Sequence, residues 1–153
     1  VVQGKDIDEE TAYIGDIYSK GAFFMHTLRY VIGDSIFFPT LKKLAVDSMY
    51  TYSHLANTGD VEQLFSKAAG YSLKPLFDFY LRTTNKLDIN VVAGRKNEYK
   101  ISLVNTDMKM PVEITTDKGT EKIMLGKEPI TIKSATVPQV DSNDYYLKRV
   151  IFE

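Results

Sequence analysis

The 153-residue chain contains no cysteine. That excludes a disulfide framework and a thiolate metal site, and it leaves the compartment open between periplasm and cytoplasm, with a periplasmic or secreted setting as the expectation. It has only two histidines, His26 and His54, far apart and without a ligand-spaced partner, and no His-Glu-x-x-His, so neither is assigned a metal. No apolar run approaches the roughly 20 residues that cross a bilayer. No charged start followed by an apolar stretch marks a signal peptide. Gly-x-Ser-x-Gly and a glycine-rich phosphate loop are both missing. Neither sign of charge dominates: 19 basic and 20 acidic residues give a net charge of -1. A nucleic-acid or anionic-membrane partner would need a basic patch, so neither is expected.

What is present is ordinary globular material, 44% hydrophobic and 25% charged. The opening "VVQGKDIDEETAY" reads as interior text, and a segment of something larger is the expectation. Glu9 and Glu10 in it read as a solvated face.

The two halves differ in period. Residues 1–86 read as helices and 87–153 as strands. Asp16 is placed to cap a helix over 17–32 that stops at Gly33, since an N-cap carboxylate accepts from free first-turn amides and a glycine past the end can turn left-handed. Phe23, Phe24, Met25, Leu28, Tyr30, Val31 and Ile32 cover most of its circumference, which predicts burial on several sides. Asp34 is expected to cap "SIFFPTLKKLAVDSM", with a kink or a later start at Pro39. Lys42 and Lys43 read as its exposed edge. A short helix follows "NTGD" and ends at Gly70. Ser72 is expected to cap "LKPLFDFYLRT", where Pro75 falls in the first turn. His26 is expected to pack beside Arg29 and Tyr30, and His54 to lie in a loop.

From Leu87 on, "LDINVV", "YKISLV", "VEITT", "KIML" and "ITIK" alternate with period two, the mark of half-buried strands. "DKGT" at 117–120 is a hairpin signal. "VDSNDYYLKRVIF" ends the chain with a turn and a last strand. Five or six short antiparallel strands predict a small sandwich of immunoglobulin type. The fold class is therefore α+β: a helical part, then an antiparallel β-sandwich.

One residue stands out chemically, and only by position. Tyr18 lies at the mouth of the first helix, near the positive end of its dipole, where a phenol can donate to a developing oxyanion. With ten tyrosines in the chain, packing is the default explanation on physics alone.

The stretch "YSKGAFFMHTLRYVIGDSIFFPTLKKL" resembles the segment that follows the zinc site in the aminopeptidase N family of zinc metallopeptidases, gluzincins related to leukotriene hydrolase. Tyr18, Lys20, Gly21, Leu28, Arg29, Gly33, Asp34 and Phe38 carry the resemblance. It implies that Tyr18 is the transition-state stabiliser and that Tyr13 lines the same substrate site. "GDVEQLFSKAAGYSLKPLFDFYLRT" resembles the end of the family's catalytic domain, with Phe77 and Tyr80 as its aromatic pair. The family's tryptophan there, and the Gly-x-Pro before its first sandwich strand, are absent. The resemblance further implies that 1–86 is the C-terminal helical part of a thermolysin-like catalytic domain and 87–153 the sandwich that follows. The partner is then a peptide substrate and the cofactor zinc, its ligands lying before residue 1. The chain alone is expected to be inactive, to hold no stoichiometric zinc, and to self-associate through exposed apolar helical surface. The alternative is a non-catalytic helical-plus-sandwich binding module, or a pseudoenzyme.

Overall fold

The structure is a computed structural model that describes residues 16–51 and 56–153. Tyr13, Glu9, Glu10 and His54 lie outside the described residues, as does the side chain of Asp16, the expected first cap. The chain divides into two compact units between Thr84 and Asn85.

The helical unit contains α1 (Asp16–Ile32), α2 (Asp34–Val46), α3 (Thr58–Ala69) and α4 (Lys74–Leu81). Gly33 joins the first two. Its φ of 82° is the left-handed conformation that favours glycine. Its amide bonds back to the Arg29 carbonyl at 2.8 Å and its carbonyl accepts from Phe37 at 2.9 Å, so one residue closes α1 and opens α2. Gly33, not Asp34, is therefore the N-cap of α2, and no side chain bonds there. The Asp34 carboxylate is engaged elsewhere: it takes a two-pronged bond from the Arg29 guanidinium, at 2.7 and 2.8 Å. The helix neither starts late nor stops at Pro39. Proline has no amide to give the Ser35 carbonyl, and the Thr40 hydroxyl bonds the next carbonyl, Ile36, at 2.7 Å.

Helix α3 starts at Thr58, inside the "NTGD" expected to precede it. The Asn57 side chain accepts from Gly59 and Asp60 amides while Asp60 reaches back to the Asn57 amide, a complete capping box. Gly70 at φ 78° closes the helix. Leu73, not Ser72, occupies the N-cap of α4. The Ser72 hydroxyl accepts from the Lys74 amide at 3.3 Å, and Ser66 takes the Leu73 amide at 3.0 Å.

The aromatic core of this unit centres on Phe24, whose ring meets Phe77 edge-on at 4.8 Å and Tyr80 at 6.4 Å. Phe37 stacks near Phe65 at 5.7 Å. Helix α1 is not buried all round. Phe24, Thr27, Leu28 and Ile32 are buried, whereas Ala22, His26 and Arg29 are exposed. His26 meets the edge of Phe23, one turn back, at 6.3 Å.

The β unit has seven strands: β1 (Leu87–Ala93), β2 (Glu98–Leu103), β3 (Met110–Thr116), β4 (Gly119–Leu125), β5 (Ile130–Lys133), β6 (Gln139–Val140) and β7 (Lys148–Phe152). They form a four-stranded sheet, β5-β2-β1-β7, and a three-stranded sheet, β4-β3-β6. Leu87, Ile89 and Val91 from the first sheet and Val112, Ile114 and Leu125 from the second are all buried, so alternation builds a two-sheet core. The expected hairpin at 117–120 joins β3 to β4. Two features depart from an all-antiparallel set of five or six strands. A two-residue strand, β6, pairs with β3. And β7 runs parallel to β1, with Leu87 opposite Lys148. Tyr145 to Leu147 stay outside the last strand because a turn at Asp141 holds the amides of Tyr145 and Tyr146, each at 3.0 Å.

Candidate functional site

Tyr18 lies in the first turn of α1 and is 69% exposed, the most exposed of the large hydrophobic side chains described. Residues three, four and seven places on share its face of a helix. They are Gly21, Ala22 and Met25, and none of them is buried. The opposite face carries Phe24, Thr27 and Leu28 into the core. A phenol on the open side of a firmly seated helix is free to meet a group outside this chain and cannot be explained as core packing.

The lower part of the same helix is fixed by charge and ring contacts. Besides its pair with Asp34, the Arg29 guanidinium lies 4.9 Å above the Phe38 ring, a cation–π distance. The Arg29 bond is the main reason the Asp34 carboxyl is held below the usual carboxylate range. Lys20 reaches the other end of the unit: its ammonium donates to the Thr83 carbonyl at 3.1 Å, just past α4. Gly21 is open, since a Cβ added there would meet nothing within 4 Å.

Tyr13 lies outside the described residues, so the two expected site tyrosines are not brought together in what is described. Among the described residues no group of three or more histidine, aspartate or glutamate side chains could hold a metal ion. His26 stands exposed on α1. The described donor set does not fit zinc.

The β unit offers a different kind of feature. An open groove of about 440 Å³ lies along edge strands β4 and β5, with Ile114, Ile123, Ile130 and Ile132 in its lining and Lys118 and Lys133 beside them. Nothing in the sequence patterns pointed to it. The isoleucines read as ordinary inward positions; Ile114 is buried, and the arrangement of edge strands leaves Ile123, Ile130 and Ile132 half-buried.

No protein-family profile matches the sequence, and no curated protein matches it either. The fold does have a match among solved structures. The crystal structure of Legionella pneumophila aminopeptidase A in complex with aspartic acid superposes with a TM-score of 0.68 and 17% identity, over 94% of this chain and 18% of that one. The chain thus spans less than a fifth of that protein and shares the fold of that part of an aminopeptidase.

Proposed function

We propose that this chain works as part of a zinc-dependent aminopeptidase of the aminopeptidase N type, and that Tyr18 donates a hydrogen bond to the tetrahedral oxyanion formed when water attacks an amino-terminal peptide bond. The observation that carries this is the placement of Tyr18. It is an exposed phenol on the first turn of a helix whose far side is locked into an aromatic core, within the Tyr-x-Lys-Gly stretch that resembles the family's. The aminopeptidase-like fold supports it.

In this reading the metal is held by residues outside the described part of the chain and supplies Lewis acidity and an activated water when bound. The task of this chain is narrower. A phenolic O–H donates, and the bond gains strength as negative charge builds on the former carbonyl oxygen. The helix N-terminus nearby adds a favourable field of the same sign. Tyr13 is assigned to line the same peptide site, and the peptide is the proposed partner.

The test is Tyr18→Phe in the intact protein, assayed with an aminoacyl p-nitroanilide. Losing one oxyanion donor removes about 3 kcal/mol, or 10²–10³ in turnover. Zinc content and thermal stability should stay unchanged, because the ring is exposed and its hydroxyl holds no described part of the fold together. Full turnover in the variant rejects the assignment.

The groove on the β unit favours one further reading, a binding module without catalysis. It predicts that an intact protein with no measurable peptidase activity still binds a ligand, and that Ile132→Asp abolishes the binding.

A further inference from the structure

Two residues after Tyr18, a side chain ties α1 to the end of α4. Along α1, Lys20 is the first side chain bonded to another element among the described residues, and its ammonium donates to the Thr83 carbonyl at 3.1 Å. Tyr18 and Ser19 before it are exposed, and full burial begins only at Phe24. Helix ends fray, and the Lys20 bond ties this end of α1 ahead of the buried face.

The receiving carbonyl is well defined. Helix α4 ends at Leu81, the Arg82 amide bonds back to Asp78 at 3.2 Å, and the Thr83 hydroxyl folds back onto the Phe79 carbonyl. A helix C-terminus carries partial negative charge, so an ammonium is the favoured donor there. Residues two apart on a helix point about 200° away from each other. Holding Lys20 against the end of α4 therefore holds Tyr18 on the side facing away from α4, where it is exposed.

We infer that Lys20 is a positioning residue for the Tyr18 phenol: its bond to the Thr83 carbonyl fixes the rotation of the first turn of α1 and so aims the hydroxyl. This rests on the catalytic reading of Tyr18 given above. The consequence is specific. Loss of the tie leaves substrate binding intact and lowers the fraction of time the phenol is aligned, so turnover falls and KM does not move.

A double-mutant cycle in the intact protein tests this, with peptidase kinetics for Tyr18→Phe, Lys20→Met, Lys20→Arg and the Tyr18→Phe/Lys20→Met pair. Misalignment of a catalytic group by about an ångström can lower rates by ~10²-fold. The expected result is a loss of tenfold or more in kcat for Lys20→Met, with KM within twofold and most of the loss recovered in Lys20→Arg. In the Tyr18→Phe background, Lys20→Met should add less than twofold, because the group it aims has gone. Equal losses in both backgrounds overturn the inference while leaving Tyr18 catalytic. An unchanged kcat in Lys20→Met overturns it as well. An unchanged kcat in Tyr18→Phe removes the catalytic reading and the inference with it. Hydrogen exchange separates misfolding from misalignment: the amides of the first turn should exchange faster in Lys20→Met while those of 24–32 keep their protection.

Discussion

Truncating Asp141 to alanine should be the most damaging polar substitution in the β unit. The residue is 1% exposed and adopts φ 50°, a left-handed conformation that a short polar side chain tolerates better than alanine does. One carboxylate oxygen accepts from the Tyr145 amide at 3.0 Å. The other accepts from the Tyr146 amide at 3.0 Å and the Lys148 ammonium at 3.0 Å. Asp141→Ala leaves two amides without their acceptor, at about 1–3 kcal/mol for a buried one. Breaking a buried pair costs about 3–5 kcal/mol when the surviving charge is stranded. Lys148 is not stranded: it keeps the Asp141 carbonyl at 2.8 Å and the Asp144 carboxylate at 2.7 Å, so that penalty is not added. Two amides at about 1.5 kcal/mol each and about 1 kcal/mol for alanine in a left-handed conformation give an expected loss of about 4 kcal/mol. Asp141→Asn keeps an acceptor and the backbone tolerance, and should lose roughly half as much. Urea unfolding followed by circular dichroism measures both. A loss below about 1 kcal/mol for alanine, or equal losses for the two variants, would refute the account, since the damage would then not come from unpaired amides and backbone strain.

Four further outcomes follow from the same geometry. Asp117 accepts from the Ala135 amide at 2.9 Å and the Ser134 hydroxyl at 2.8 Å, which hold its carboxyl below the usual range. A lowered folded pKa means the contribution is complete above the unfolded value, near 3.9, and is lost as pH falls through the folded one. Asp117→Asn should therefore flatten the fall of Tm below pH 4, and an unchanged profile counts against it. Phe24→Ala opens the centre of the helical unit between Phe77 and Tyr80, and should cost about 3–5 kcal/mol, read as loss of the helical signal at lower urea. Val46 and Met49 are 67% and 66% exposed, so the chain should sediment as concentration-dependent oligomers, and a monomer at all concentrations contradicts that expectation. Gly21→Ala adds a Cβ that meets nothing within 4 Å, so it should raise stability by about 1 kcal/mol in a thermal melt, and a fall in Tm would show an unseen neighbour.

Elements whose cause is local were legible in the sequence. Gly33, Gly70 and the 117–120 turn act within four residues of themselves, and each appears where the pattern put it, whereas α3 starts at Thr58, inside the "NTGD" expected to precede it, because Asn57 and Asp60 form a capping box. The misassigned caps have a common reason. Asp34 and Ser72 are good cap residues, but the Arg29 guanidinium claims the carboxylate of the first, and the chain path sets Leu73 at the cap beside the second. The parallel β1–β7 pair could not be read, because an alternating pattern specifies a buried face and says nothing about strand direction. Asp141 falls in the turn expected before the last strand, and its burial rests on Tyr145, Tyr146 and Lys148, contacts that no periodicity signals. The α+β class itself follows from the change of period near residue 87.

Tyr18 was legible only through resemblance, because nothing local distinguishes one phenol among ten. The structure adds a physical distinction. A mid-helix glycine costs about 1 kcal/mol against alanine, and Gly21 sits beside Tyr18 with no neighbour in the described chain that requires it. Helix α1 thus carries an unrepaid local cost on the face that bears the phenol, while its other face is packed with Phe24, Thr27 and Leu28. Local rules that are broken without gain to the fold tend to mark function. If close approach of a substrate backbone is what Gly21 permits, then Gly21→Ala should stabilise the protein and slow peptide turnover together. A packing role would instead move stability and leave turnover alone, so the two measurements taken on one variant separate fold from site.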